Sequence, residues 1–415
     1  MATPSLALIP TGYKAGKLYS VLPESGVGDF DFTRASAATR VNSSGLIESV
    51  ATGVPRLEYP LIDGVVNGCP SLLLENQATN LVTYNNDLTN ANWITGQVTE
   101  VANDAISPTG VLDASKVSVT TVSNSHYFQQ TLSIGENDVT ISAYVKNIDA
   151  NFIQVTNAGN ALAYANFDIQ NGTIGTKGSA ISNQKIEKLP NDWYRISVTV
   201  DNTGFATTYM RFYIVTSASA PFNEFWLPTS TVSLNVWGVQ CEIQNYATSI
   251  IPTQGSTITR VAEVCNNAGN SQVINSTEGV LYIETSALSN DLSERRFGLS
   301  DGTSSNVVRV GYTNVSNRII AVIYNGSNQA VLTYTSPDIT QNSKIAVKYK
   351  ANDFALWVDG VERSTDISGT VFSANTLNSL DFNIGGGSHF YSDTKDVRVY
   401  NTALTDSELA ILTTL

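Results

Sequence analysis

Apolar and polar positions alternate along most of this chain with the two-residue period of β-strands. Between Asn80 and about Thr253, strand-like runs fall at 117–122, 139–146, 152–156, 163–169, 193–200, 209–215 and 232–241. Turn residues separate them, including Asn171-Gly172, Pro190 to Asp192 and Asn202 to Gly204. Successive strand side chains point to opposite faces. One face therefore collects Ile141, Ala143 and Val145, then Ala165, Phe167 and Ile169, then Met210, Phe212 and Ile214. The other collects Tyr144, Tyr164, Tyr209, Arg211 and Tyr213. No helical stripe interrupts the series, so a two-sheet sandwich is expected.

The same pattern resumes at Gly279. Strands are predicted at 280–284, 296–299, 307–312, 319–324, 330–334, 344–350, 354–358, 380–384 and 395–400, with turns at Asp301-Gly302, Asn325-Gly326 and Asp359-Gly360. One short helix is predicted near residues 404–409. Thr405 is placed to cap it and Glu408, three residues on, completes a capping box.

The remaining stretches are irregular. Residues 1–80 carry Pro4, Pro10, Pro23, Pro55, Pro60 and Pro70, which exclude long helices and long central strands. Short strands are expected at 30–34, 38–41 and 72–74, with a turn at Ser43-Ser44-Gly45. The stretch from Trp237 to Arg260 ends the first strand series, with Gly238 marking a place of close backbone approach and Pro252 to Gly255 stopping regular structure. Residues rich in Asn, Ser and Gly follow. The predicted organisation is an N-terminal segment at 1–80, a sandwich at 81–255, a linker at 256–278 and a second sandwich at 279–415.

Composition narrows the function. Charged residues are 14% of the chain, against about a quarter in a typical domain. The net charge of −13 argues against nucleic acid or an anionic membrane as the main partner, since phosphate binding needs clustered Lys and Arg. No apolar run is long enough to span a membrane. The three cysteines, Cys69, Cys241 and Cys265, form no Cys-x-x-Cys pair and are expected to be small buried thiols made in a reducing cytoplasm. The start, MATPSLALIPTGYKAG, has no charged region before an apolar one and does not read as a signal peptide.

Three resemblances can be placed on particular residues. Gly238-Val-Gln-Cys-Glu242, Ala247-Thr-Ser-Ile-Ile-Pro-Thr253 and Thr257-Ile-Thr-Arg260 resemble the closing strand and tail of carbohydrate-binding-module-like jelly rolls, which recur in bacteriophage structural proteins and marine bacterial surface proteins. Tyr13 to Ser20, Phe32 to Ser36, Ala38 to Val41, Gly45 to Glu48, Pro55-Arg56, Cys69 to Glu75 and Thr79 to Leu81 look like a leader found on phage tail and fibre-like proteins. Lys344 to Tyr349, Ala355 to Gly360, Asn383 to Gly386 and Asp396 to Leu409 resemble the laminin-G-like or concanavalin-A-like lectin domain. The expected fold is all-β: an irregular N-terminal segment, a jelly-roll sandwich, then a concanavalin-A-like or laminin-G-like sandwich.

The function these resemblances imply is a bacteriophage virion protein, a head or tail fibre or decoration, made in the host cytoplasm and attaching to host-surface glycans. A homotrimer is expected from the likeness to phage fibres, assembled through the N-terminal segment or sheet faces and alongside other virion proteins. Two alternatives stand beside it: a purely structural virion protein, and a secreted carbohydrate-binding protein of a marine bacterium. Tyr144, Tyr164, Tyr209, Arg211 and Tyr213 are the candidate glycan-binding residues, because a pyranose packs its C–H face on an aromatic ring while polar neighbours take its hydroxyls. The same face also suits sheet cover or a subunit contact. Arg34, Arg40 and Arg260 are expected to tie irregular backbone to carbonyls or carboxylates.

No enzyme activity is expected. Glucanases of the concanavalin-like fold would show Glu-x-Asp-x-x-Glu on a strand, and the nearest match, Glu136-Asn137-Asp138, lacks the third acid. Two histidines give no basis for a Ser-His-Asp set or a zinc site. Calcium is a candidate ion, since both resembled families often carry one, but there is no EF-hand loop and no ligands are assigned.

Overall fold

The computed structural model describes residues 2–415 and is almost entirely antiparallel β-structure. Two sandwiches account for most strands. The first faces a six-stranded sheet, ordered Ile94–Gly96, His126–Ser133, Thr207–Val215, Phe152–Asn157, Tyr164–Asp168 and Thr173–Lys177, against a second six-stranded sheet. That second sheet runs Val98–Ile106, Leu112–Val119, Ser233–Glu242, Val139–Asn147, Trp193–Val200 and Ile181–Lys188. The predicted inner positions are the core: Ile141, Ala143, Val145, Ala165, Phe167, Met210 and Phe212 are fully buried, in one cluster with Ile169 and Ile214. Gly238 takes a positive φ of 60° at a register shift, and its N–H donates to Asn86 Oδ1. A Cβ there would stand 2.8 Å from the Tyr144 ring, so both conformation and space favour glycine.

The strand His126–Ser133 was not predicted. Its core-facing positions include His126 and Gln130 beside Phe128 and Leu132, which breaks the apolar alternation. The C-terminal helix Asp406–Thr413 forms as predicted, with Thr405 and Glu408 making the reciprocal capping box. Leu409 and Leu412 pin it to the outer face of the neighbouring sheet against Val280, Tyr282, Ala346 and Tyr400.

The second sandwich corrects the expected organisation. Its five-stranded sheet is built from residues 295–381 alone, in the order Asn328–Thr335, Arg318–Asn325, Asn306–Tyr312, Arg295–Ser300 and Ser379–Asp381. Its eight-stranded sheet is not. Leu6–Leu8 and Ser71–Leu74 both pair with Ser392–Tyr400, and Leu57–Glu58 pairs with Ser71–Leu74. Leu6, Leu8, Leu72 and Leu74 join Leu281, Ile283, Val397 and Val399 in one core. The N-terminal segment, expected as an assembly leader, is thus part of this chain's own C-terminal sandwich. The leucines it would offer to another copy are already buried.

The stretch 256–278 is likewise not a free linker. Ile258–Arg260 pairs with Ala78–Asn80, Val264–Asn266 pairs with Phe30–Thr33, and Cys265, Ala268 and Ile274 lie in the core. Short, polar-flanked strands with distant partners leave little periodicity in sequence. Of the cysteines, Cys241 and Cys265 are buried as expected, whereas Cys69 is exposed.

A buried chain of alternating charges joins these parts. Glu263 accepts from Arg34 Nη1 at 2.7 Å and from Arg56 Nε at 2.8 Å, with a further short contact to Arg56 Nη2. Arg56 Nη1 reaches Glu75 at 2.7 Å, and Arg260 Nη1 reaches the same carboxylate at 2.8 Å. All five residues are at most 3% exposed. Most of the remaining guanidinium donors go to backbone carbonyls, as Arg34 to Ser36, Val54 and Ala51, and Arg260 to Asn76. This is the structural use expected for Arg34 and Arg260. Arg40 has a more exposed version of it, paired with Glu48 at 2.7 Å.

Removing one member leaves its partners charged and buried, which costs about 3–5 kcal/mol. Arg56→Met is therefore expected to lower stability by about that amount in urea unfolding, with Arg40→Met losing far less. Burial pulls the Glu75 carboxyl upward, but the Arg260 and Arg56 charges outweigh it and hold it down at about 2. The stability this carboxylate contributes is present above its unfolded value near 4.5 and lost as pH falls towards 2. Glu75→Gln should destabilise at pH 7 and flatten the acid limb of stability between those values, measured as urea midpoints against pH.

Candidate functional site

The two-residue period that put five candidate residues on one face of their strands does not say which sheet each strand joins. Tyr144 lies in the strand Val139–Asn147 of one sheet, and Tyr164, Tyr209, Arg211 and Tyr213 lie in the opposite sheet. All five point away from the jelly-roll core, but in two directions, so they do not form one platform.

On the open sheet, pairing sets Gln129, Arg211, Thr156 and Tyr164 in one row across four strands. Arg211 is held firmly. Its guanidinium carbon lies 4.0 Å from the Tyr127 ring centroid and 5.4 Å from that of Tyr213. Its Nε donates to Gln129 Oε1 at 2.5 Å and its Nη1 to the Tyr213 hydroxyl at 2.6 Å. Tyr213 is 1% exposed, packed with Val215 and Ala220, so it braces Arg211 and offers no ring face to a ligand. Tyr209 is 39% exposed, and its ring lies against Gly159, where a Cβ would come within 3.2 Å. Tyr164 is half-buried, 6.2 Å from Phe222. The hydroxyl of Thr156, buried between Arg211 and Tyr164, has no hydrogen-bond partner. This face offers one well-exposed ring and a rigid cation.

On the other sheet Tyr144 is 4% exposed, which corrects its expected place on an open aromatic face. Pairing sets Trp237, Tyr144, Arg195 and Glu187 in one row. The Tyr144 and Trp237 rings meet edge-on at 5.2 Å. The N-terminal segment closes over them, with Ile47 and Ile250 in the same cluster and Val41 and Leu61 packed against it. Between this cover and the sheet lies a pocket of about 380 Å³, lined among others by Glu58, Tyr144, Glu187 and Arg195. Sequence reasoning missed Glu58 and Arg195. Glu58 comes from a two-residue strand, and Arg195 shows its place only once its neighbours across the sheet are known.

Glu136 and Asp138, the nearest match to a glucanase motif, line a polar cleft between the sandwiches with Asp291, Glu294 and His389. Among the described residues no group of three or more His, Cys, Asp or Glu is placed to hold a metal ion. Among the described residues no helix is long and apolar enough to cross a membrane.

Comparison with known proteins adds one family match. Residues 264–410 match the family described as the concanavalin A-like lectin/glucanases superfamily. None of the curated proteins matches the chain. Among solved structures, the chain is similar to a carbohydrate-binding module of a Ruminococcus gnavus sialidase bound to α2,3-sialyllactose, at 16% identity and a TM-score of 0.29, over 33% of this chain and 83% of that one. Domain 4 of a Geobacillus stearothermophilus arabinanase, in complex with arabinotriose, is 13% identical with a TM-score of 0.27, over 41% and 80%. Domains LG4-5 of the mouse laminin α1 chain are 12% identical with a TM-score of 0.24, over 69% and 89%. The C-terminal part of this all-β chain is a concanavalin A-like, laminin-G-like sandwich.

Proposed function

We propose that this chain is a glycan-binding attachment protein of a bacteriophage virion. The observation that carries the glycan-binding part is the match of residues 264–410 to the concanavalin A-like lectin/glucanases superfamily. The open jelly-roll face supports it, because it presents the Tyr209 ring and, on the same strand, a guanidinium fixed in position before any ligand arrives. The virion part is supported by the phage-like residues of the N-terminal segment and the jelly-roll tail. Assembly into trimers belongs to the same reading and would use sheet faces or edges, since the N-terminal leucines are committed to the chain's own core.

The test is binding of the full-length chain to a panel of purified bacterial surface polysaccharides and matched oligosaccharides, with light scattering of the same sample. A trimer that binds a subset of the panel supports the proposal. Tyr209→Ala should weaken binding about 3- to 10-fold, the contribution of one aromatic contact, without lowering the melting temperature. A chain that binds nothing on the panel and still assembles would be a structural component instead.

A further inference from the structure

The pocket beside Tyr144 holds polar groups that the fold itself does not satisfy. Arg195 makes one hydrogen bond, from Nη2 to the Thr248 carbonyl at 2.5 Å. Its Nε is buried without a partner, and among the described residues no carboxylate stands within ion-pair distance of it. Its guanidinium carbon is 5.5 Å from the Tyr144 ring centroid, and its strand neighbours in register are Tyr144 and Glu187. Arg195 is half-buried, and the one donor closed off from water, Nε, is costly to leave unpaired unless an acceptor reaches it.

Glu58 lines the same pocket. One carboxyl oxygen accepts from the Val41 N–H at 2.8 Å, and the other makes no hydrogen bond to protein. Burial raises this carboxyl to about 8, against the opposing pull of the Val41 N–H and the Arg56 charge. At neutral pH it is therefore an O–H donor. Tyr144 adds a phenol that burial keeps protonated, raised to about 12. The other charged groups facing the pocket are Arg40, already paired with Glu48, and Asp63, Glu187 and Lys188. The last three are exposed, and Glu75 and Arg56 are engaged with each other in the buried charge chain. The inner groups, Arg195, Glu58 and Tyr144, are thus predominantly donors.

We propose that this pocket binds a sugar bearing a carboxylate, such as a uronic acid residue, with Arg195 as its ion partner and the Glu58 carboxyl and Tyr144 hydroxyl as further donors. A neutral sugar would offer hydroxyls to a donor-rich wall, whereas a carboxylate supplies up to four acceptor sites and takes a planar guanidinium two bonds at a time. The volume of about 380 Å³ lies within the range of about 300–1,000 Å³ usual for small-ligand sites. The inference rests on the glycan-binding reading and names the ligand class for a site separate from the open face. Its location also gives the N-terminal segment a role in recognition, since Val41, Glu58 and Leu61 belong to that segment.

The experiment is titration calorimetry of the full-length chain with trigalacturonate and with its methyl ester, which keeps the rings and removes the charge. The acid is expected to bind at least tenfold more tightly than the ester. Arg195→Met should weaken binding of the acid about 10- to 100-fold, the range of a charge-assisted hydrogen bond. Wild-type affinity should hold from pH 6 to 7 and fall above about pH 8, as Glu58 ionises and repels the ligand. Glu58→Gln keeps a donor without titrating, so it should bind at pH 7 and lose that decline. If Arg195→Met melts early, the Glu58→Gln pH profile decides. Equal binding of acid and ester, absence of binding to the acid, or an unchanged Arg195→Met affinity overturns the inference. A chain that binds neutral panel glycans but not the acid leaves glycan binding standing and removes this pocket from it; a chain that binds no glycan at all removes both.

Discussion

The buried sequence of charges Arg34, Glu263, Arg56, Glu75 and Arg260 is the interaction on which the arrangement of this chain depends. Its members come from the N-terminal segment and the stretch after the jelly-roll tail. Each carboxylate lies between two guanidinium groups, so no single pair can be broken without stranding a charge in the interior. Such a network adds little net stability over a well-packed apolar core. Its directional bonds do favour one arrangement of the irregular segments, which carry too little periodicity to be fixed by hydrophobic burial alone.

From that constraint follows the role of the first eighty residues. They behave as a brace that supplies three strands to the eight-stranded sheet and a roof to one face of the jelly roll. The jelly roll consequently has two unlike outer faces. One is covered and encloses a pocket; the other remains open and carries Tyr209 and Arg211. A sheet whose strands alternate apolar and polar residues always presents an outer face, but only its neighbours determine whether that face meets water.

The two faces suit different kinds of recognition. The open face carries a reachable ring and, on the same strand, a cation immobilised by two aromatic neighbours and a glutamine. Little ordering remains to be done when a ligand arrives, which favours affinity from few contacts. The covered pocket is proposed to take a single charged group, because its donors are partly withdrawn from water and gain more from an acceptor there than at the open surface. Both sit on the sandwich that precedes the lectin-like domain, so the region of clearest family likeness and the regions with the most evident binding chemistry are different parts of the chain.

The sequence by itself determined the strands with clean alternation, their inward faces, the capped C-terminal helix and the all-β class. These follow from local periodicity and turn chemistry, which need no knowledge of partners. It also marked Arg34 and Arg260 as structural. Tertiary structure alone decided that Tyr144 and Tyr209 face opposite ways, that Tyr213 is a brace under Arg211, and that residues 256–278 are paired strands. It also decided that Leu6 and Leu72 complete a sheet begun more than two hundred residues later. The reason is physical: period-two alternation fixes the side of a strand a residue occupies, while sheet membership, cover and ion partners are set by contacts between segments far apart in the chain.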